Sequence, residues 1–109
     1  MSKLLFDKEA VQRAKSPLAR LIRIILHKEG MTLDDFTASF NRYAKITGMT
    51  AKTSNTEKSN YFKALYKDSM TFHMLSFILI SILRWEIVKF SITIKRNDVE
   101  VTYSNIDEV

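Results

Sequence analysis

Cysteine is absent from this chain of 109 residues, which excludes a disulfide framework and a thiolate metal site. The two histidines, His27 and His73, have no partner at the spacing of a metal-ligand pair, so no metal site is expected. Two glycines and a single proline leave few places for turns, which predicts a fold dominated by helices. The length is sufficient to bury one core, so we expect a single domain over residues 1–109.

Long hydrophobic runs are also lacking. The longest, over residues 70–83, has fourteen residues, fewer than the roughly eighteen that a membrane-spanning helix needs. The start of the chain does not resemble a secretory signal, because its apolar run is short and contains acidic residues. We therefore expect a cytoplasmic protein with no membrane partner. The sequence has no glycine-rich loop and no histidine–carboxylate constellation, so neither an enzyme nor a cofactor is expected.

Helix-start signals organise the first part of the chain. Asp7 is a capping residue for a short helix over about residues 8–15, which is either an arm or a packing strut. Ser16 followed by Pro17 begins a second helix, which stops at Gly30. These signals predict two helices joined by a very short connection.

The second helix carries an apolar stripe at helical spacing, which predicts burial of one side. Arg20, Arg23 and His27 lie off that stripe, so we interpret them as a solvated face. Thr32 and Asp35 then form a capping box for a third helix, which ends at a second glycine. The pattern indicates helices packed through one face each.

Two more helices are predicted after a loop over residues 49–53. Ser54 and Glu57 form a second capping box, and the helix that follows is mainly polar. Thr71 caps a last helix over residues 72–83, which is apolar nearly all round. Such a helix is either central to a core or covered by a second chain.

After the last helix the period changes from helical to alternating, which predicts two strands. If residues 97–98 form a two-residue turn, Ile94 faces Val101 and Ile92 faces Tyr103, so the apolar sides of both strands match. An isolated hairpin is marginally stable in water, so we expect it to pack on the helices or to extend a sheet with a second subunit. The alternating apolar residues are Phe90, Ile92, Ile94, Val99, Val101 and Tyr103.

Positive charge is concentrated in the middle of the chain, whose formal net charge is +5. Between residues 41 and 67, six basic residues stand against one acid, Glu57, so the local excess equals that of the whole chain. The six are Arg42, Lys45, Lys52, Lys58, Lys63 and Lys67. A concentrated basic surface favours a polyanionic partner.

The order of these elements resembles that of the lambda-repressor-like helix-turn-helix domains, of the Cro/repressor or XRE type. Three segments carry the resemblance: LARLIRIILHKEGMTLDDF from residue 18, YFKALYKDSMTFHMLSFIL from residue 61 and WEIVKFSITIKR from residue 85. The last is similar to the strand that often serves dimerisation in small phage-type and plasmid-type members. The chain departs from the family in having a longer segment between Gly48 and Asp68, and in having Asp68-Ser69 in place of a glycine.

The resemblance implies a mainly α fold, with a four- to five-helix bundle over residues 17–84 and a β-hairpin over residues 86–103. An arm or short helix precedes the bundle over residues 1–16, and a tail follows over residues 104–109. It also implies a sequence-specific regulator of transcription, a repressor, that binds double-stranded DNA as a homodimer without a cofactor. The helix starting near Ser54 would enter the major groove.

Within that resemblance, polar side chains near the start of the helix would contact base edges. They are Ser54, Asn55, Thr56, Lys58, Ser59, Asn60 and Lys63. A second group would contact phosphates and so provide affinity without reading sequence. It comprises Arg42, Lys45, Lys52, Thr53 and Lys67. The apolar side of the hairpin would form the dimer interface.

An alternative interpretation is a helix-turn-helix scaffold used as a protein-binding module, such as an antitoxin or a phage-encoded inhibitor. The apolar last helix and the aromatic side chains Tyr61, Phe62 and Tyr66 would then bind a protein partner. Binding of DNA and binding of a protein partner therefore remain two hypotheses from the sequence.

Overall fold

In the computed structural model, which describes residues 3–108, the chain folds into five helices followed by a two-stranded antiparallel hairpin. The helices are α1 (Lys8–Arg13), α2 (Pro17–Lys28), α3 (Leu33–Ile46), α4 (Ala51–Tyr66) and α5 (Phe72–Phe77), and α5 continues as a π-helix over Ile78–Ile82. Strands β1 (Ser91–Arg96) and β2 (Val99–Ser104) form the hairpin. The prediction of a mainly α bundle with a C-terminal hairpin is confirmed.

Side-chain caps begin most of these helices as predicted. Asp7, Ser16 and Thr71 each accept a hydrogen bond from the backbone N–H three residues further on, at the starts of α1, α2 and α5. Thr32 and Asp35 form the expected capping box at the start of α3, with bonds of 3.0 and 3.2 Å. Each cap satisfies an N–H group that the helix leaves without an internal partner.

α1 is a packing strut rather than an arm. Phe6, directly before its cap, is 2% exposed, and Leu5 is also buried. The Leu5 N–H donates to the carbonyl oxygen of Met31 at 2.8 Å, which joins the start of the chain to the α2–α3 connection. α1 ends at Arg13, two residues before the predicted end, because the backbone becomes extended at Ala14.

The core lies between α2, α3 and the last helix. Its largest fully buried side chains come from α2, α3, α4, the π-helix and the segment before α1: Phe6, Ile22, Leu26, Phe36, Phe40, Leu65, Ile78 and Ile82. α4 contributes one buried residue, Leu65, and presents most of its length to solvent. The last helix is central to the core along one side, whereas Phe72 and Ile80 are exposed.

The last helix widens before it ends. The Leu83 N–H donates to the carbonyl oxygen of Ile78 at 2.9 Å, an i to i−5 bond that defines the π-helix. Arg84 follows in the left-handed region with φ 59°, which ends the helix. The chain then leaves the bundle and runs without regular structure to β1.

The hairpin has the predicted register. Ile94 pairs with Val101 and Ile92 pairs with Tyr103. Both turn residues have positive φ, 51° and 63°, as in a type I′ turn. The match of apolar alternation on the two strands therefore predicted the pairing correctly.

The apolar side of the hairpin is not covered by the helices. The six residues on it are 38–58% exposed: Phe90, Ile92, Ile94, Val99, Val101 and Tyr103. Phe90 contacts Phe72 with ring centroids 5.9 Å apart, which joins the base of the hairpin to α5. The radius of gyration is 15.7 Å, whereas a compact chain of this length has about 13 Å. Of the two expected arrangements, packing of the hairpin on the helices is therefore not found.

Arg23 on α2 is buried, contrary to the expectation that it is solvated. It is 7% exposed, and its guanidinium donates to the carbonyl oxygen of Ala10 at 2.8 Å and to those of Leu65 and Tyr66 at 3.3 and 3.1 Å. Among residues 3–108 no carboxylate lies within ion-pair distance of it. The carboxyl ends of α1 and α4 therefore stabilise this charge through carbonyl oxygens and helix dipoles.

The neighbouring His27 was also expected to be solvated and is instead half-buried. Its Nδ1 lies 2.9 Å from the carbonyl oxygen of Phe6. Arg20 is exposed as expected. Arg23 thus contacts the backbone of α1 and of the end of α4, and His27 contacts the backbone of the segment before α1.

Replacing Arg23 by methionine should lower the free energy of unfolding by about 3 kcal/mol, because three carbonyl oxygens near the core would lose their donors. Urea denaturation measures the change. The matched control is Arg20→Met, one turn away on the exposed side of α2, which should change stability by less than about 0.5 kcal/mol. Equal stability of the two variants would contradict a structural role for Arg23.

Candidate nucleic-acid interface

α4 begins at Ala51, three residues before the start predicted at Ser54. Its cap is Thr50, whose Oγ1 accepts the backbone N–H of Thr53 at 3.2 Å. The Ser54 N–H already donates to the Thr50 carbonyl oxygen at 2.8 Å, so Ser54 lies inside the first turn. The predicted Ser54–Glu57 capping box is therefore wrong, because an equally suitable cap occurs earlier and starts the helix there.

The connection between α3 and α4 is correspondingly short. Gly48 adopts φ 73° directly after α3, and the Met49 N–H donates to the carbonyl oxygen of Ala44 at 2.9 Å. This closing bond satisfies a carbonyl group at the end of α3, as glycine commonly allows. The connection is residues 47–50, and the predicted loop over residues 49–53 lies mostly within α4.

One side of α4 is lined by exposed polar and basic side chains, and we call it the outer face of α4. It consists of Lys52, Thr53, Asn55, Thr56, Ser59, Asn60, Lys63 and the C-cap residue Lys67. At about 100° per residue these positions cover about 160° of the helix circumference. The helix has 16 residues and is about 24 Å long. Five of the seven predicted base contacts and three of the five predicted phosphate contacts lie on this face.

Ser54 and Lys58 do not belong to the outer face. Both are half-buried, at the border with the side that packs on the bundle. The Lys58 Nζ donates to the side-chain oxygen of Asn41 on α3 at 3.5 Å. Lys58 is therefore directed toward α3, and Asn41 is a contact that the sequence did not indicate.

Hydrogen bonding differs along the outer face. The Thr56 hydroxyl donates to the carbonyl oxygen of Lys52 at 3.0 Å, so its donor is used within the helix. In the described chain, the side chains of Asn55, Ser59 and Asn60 are exposed and make no hydrogen bond. Their donors and acceptors are available to a ligand.

No carboxylate lies on the outer face. Glu57 is the one acid of α4, and it is half-buried on the other side of the helix. Burial, together with the charges of Glu57 and Tyr43, raises the pKa of Tyr61 to about 12 from a usual value of 10.0. The helix thus separates its negative charge from its lysines, and the outer face is positive.

The two predicted phosphate contacts on α3 differ in their surroundings. Arg42 is exposed and its Nη2 lies 3.5 Å from the carbonyl oxygen of Ile82, at the end of the π-helix. Lys45 is exposed near the end of α3. The structure therefore directs Arg42 to the last helix rather than to α4.

Asp68, directly after α4, has a role that the sequence did not predict. Its carboxylate accepts the backbone N–H of Lys15 at 2.8 Å and that of Ser16 at 3.1 Å. It therefore joins the end of α4 to the connection between α1 and α2. In the sequence, the sign of a special role was that Asp68-Ser69 stand where lambda-repressor-like domains often have a glycine. This departure did not identify the partner of Asp68.

No family model, curated protein or solved structure matches this chain. Over residues 3–108, none of the helices has the length and apolar character needed to cross a membrane. In the same range, no three histidine, aspartate or glutamate side chains come together as metal ligands.

The position of the α4 cap can be tested by two substitutions. Thr50→Ala should lower the free energy of unfolding by about 1 kcal/mol, because it removes the side-chain acceptor of the Thr53 N–H. Ser54→Ala should change stability by less than about 0.5 kcal/mol, because its hydroxyl does not cap the helix. Thermal unfolding of both variants measures the difference, and a larger loss at Ser54 would contradict the assignment.

Proposed function

We propose that the protein is a cytoplasmic, sequence-specific regulator of transcription, a repressor, that binds double-stranded DNA as a homodimer through the outer face of α4. The observation that carries the proposal is that this face combines three lysines with exposed amides and hydroxyls and has no carboxylate. An α-helix fits the major groove, where such side chains read base edges.

Each group on the outer face has a task in this proposal. The amides of Asn55 and Asn60 can pair with adenine. The Ser59 hydroxyl can both donate and accept, so it can bond to a donor or an acceptor on a base edge. Around the helix axis, Lys63 lies between Asn55 and Asn60, where it can contact guanine acceptors or a phosphate. Lys52 and Lys67, at opposite ends of the helix, are suited to phosphates on the two strands.

The connection of α3 and α4 supports the same proposal. Helix-turn-helix pairs are joined by turns of about three or four residues that often contain glycine, and residues 47–50 with Gly48 fit that description. α3 and α4 would then be the two helices of the motif, and α4 the recognition helix. The resemblance to lambda-repressor-like domains points to the same pair.

The hairpin is the proposed dimer interface. Its apolar side is uncovered in the single chain, and a two-stranded hairpin needs further packing to be stable in water. A second copy of the hairpin offers an equal apolar surface, so a two-fold dimer would cover both. Dimers of helix-turn-helix domains bind two half-sites on one side of the duplex.

A second candidate function is binding of another protein. The same uncovered hairpin side favours it, because exposed apolar residues on one contiguous surface mark interaction sites. In this case a different chain would cover the hairpin, and the protein would be a monomer in isolation.

DNA selected from a random pool, followed by fluorescence anisotropy titrations at several salt concentrations, tests the proposal. Lys63→Ala should weaken binding at every sequence and lower the slope of log affinity against log salt by about 1. Asn55→Ala should instead reduce the preference at one base pair by about 1–3 kcal/mol. Lys28→Ala, an exposed lysine on α2, is the control and should leave binding unchanged. Absence of binding at low salt would refute the proposal.

The dimer interface is tested by Ile94→Thr combined with Val101→Thr, a cross-strand pair on the apolar side. Threonine retains strand propensity, so the hairpin should persist while the dimer dissociates to a monomer in light scattering. The control replaces the adjacent cross-strand pair on the polar side, Lys95→Thr with Glu100→Thr, and should remain a dimer. A monomeric wild-type protein would favour the second candidate function.

A further inference from the structure

A cavity of about 390 Å³ opens where α1, α2 and the end of α4 meet. Its volume is within the usual range of small-molecule sites, roughly 300–1,000 Å³. It is lined by cations of α1, α2 and their connection and by aromatic rings of α4 and the segment before α1, and it uses no residue of the outer face of α4. The cavity is therefore a second candidate site, separate from the proposed DNA contacts.

The charged residues of the cavity are three cations and one carboxylate: Arg13, Lys15, Arg23 and Asp68. Both oxygens of Asp68 accept backbone N–H groups at the start of α2, so its charge is directed to that helix end. Arg13 is paired with Glu9 at 3.4 Å, but both side chains are largely exposed, and such pairs are weak. Arg13 and Lys15 are therefore available to an anion that enters the cavity.

Arg23 supplies a fixed positive charge on the wall of the cavity. Three of its N–H bonds go to carbonyl oxygens, and its buried Nε has no acceptor in the part of the chain that the structure describes. No carboxylate of residues 3–108 lies within ion-pair distance of it, so carbonyl oxygens and helix dipoles, rather than a bound carboxylate, balance part of its charge. A charge held in this way by backbone attracts an anion at short range.

The rest of the wall is apolar. The rings of Phe6 and Tyr66 meet edge to face with centroids 5.6 Å apart, and Ala10 is the remaining apolar lining residue. The Arg23 guanidinium covers the other surface of Phe6 at 5.0 Å. Phe6 is thus buried, and the ring that remains open to a flat hydrocarbon group is that of Tyr66.

We propose that this cavity binds a small organic anion with an aromatic body. A carboxylate or phosphate group would be held by Arg13 and Lys15 near Arg23, and the aromatic body would pack on the ring of Tyr66, which is 53% exposed. Charge-assisted hydrogen bonds from Arg and Lys are the stronger kind, and they orient the anionic group. The ligand would lie against the carboxyl end of α4, which Arg23 also contacts.

The test is a heteronuclear NMR titration of the full chain with benzoate and with phenyl phosphate, in the absence of DNA. Saturable shifts at the amides of Ala10, Lys15 and Asp68 are expected with at least one of them. Benzyl alcohol, a neutral ligand with the same ring, and acetate, an anion without a ring, should each bind about tenfold more weakly or less.

Two double variants that remove the same charge distinguish specific binding in the cavity from general electrostatic attraction of the anion to the protein. Arg13→Gln with Lys15→Gln should weaken binding of the better probe by about tenfold, and Arg13→Lys with Lys15→Arg should restore it. Arg20→Gln with Lys28→Gln removes the same charge from the exposed side of α2 and should leave the affinity unchanged.

Three outcomes would overturn the proposal: no saturable shift with either probe, equal affinity for benzyl alcohol, or equal loss in both Gln double variants. Failure of DNA binding would not bear on it, because the assay contains no DNA and all outer-face residues are unchanged.

Discussion

The guanidinium of Arg23 is the contact on which the arrangement of the helices depends. It binds carbonyl oxygens at the ends of α1 and α4 from its place on α2, so one side chain fixes three helices relative to one another. Asp68 adds a second link a few residues away, from the end of α4 to the start of α2. A buried cation and a carboxylate thus each satisfy backbone groups instead of pairing together. The end of α4 is held by polar contacts of high directionality.

This polar anchoring explains how α4 can bury so little and still be held firmly. Only Leu65 is fully buried on it, and aromatic contacts support its inner side. Phe62 packs edge to face on Phe36 at 5.2 Å, and Tyr61 stacks on Phe77 at 5.4 Å. Because the inner side consists of a few large rings, the outer face can consist entirely of polar and basic residues. The result is a helix that packs on the bundle through one side and exposes polar and basic residues along the other.

Local signals predicted local structure well. The caps of four helices and the register of the hairpin follow from residues within a few positions of one another, as Thr32 with Asp35 illustrates. The start of α4 was missed because Thr50 and Ser54 are both good caps, and their spacing from Gly48 was not used to choose between them. The roles of Arg23 and Asp68 could not be predicted, because most of their partners lie more than 40 residues away and a backbone group has no sequence signature. On the outer face, the predicted side chains share one surface because they belong to one helix.

The hairpin also has two open edges, one along each strand, since β1 and β2 pair with each other alone in residues 3–108. Backbone N–H and carbonyl groups on such edges can accept a further strand, and repeated addition would produce open-ended assemblies. The strands are six residues long and carry Lys95 and Arg96 near the turn, which disfavours edge addition by charge repulsion and by limiting the number of bonds gained. The short, charged edges therefore limit association through added strands, and the apolar face is left as the other surface through which this hairpin could associate.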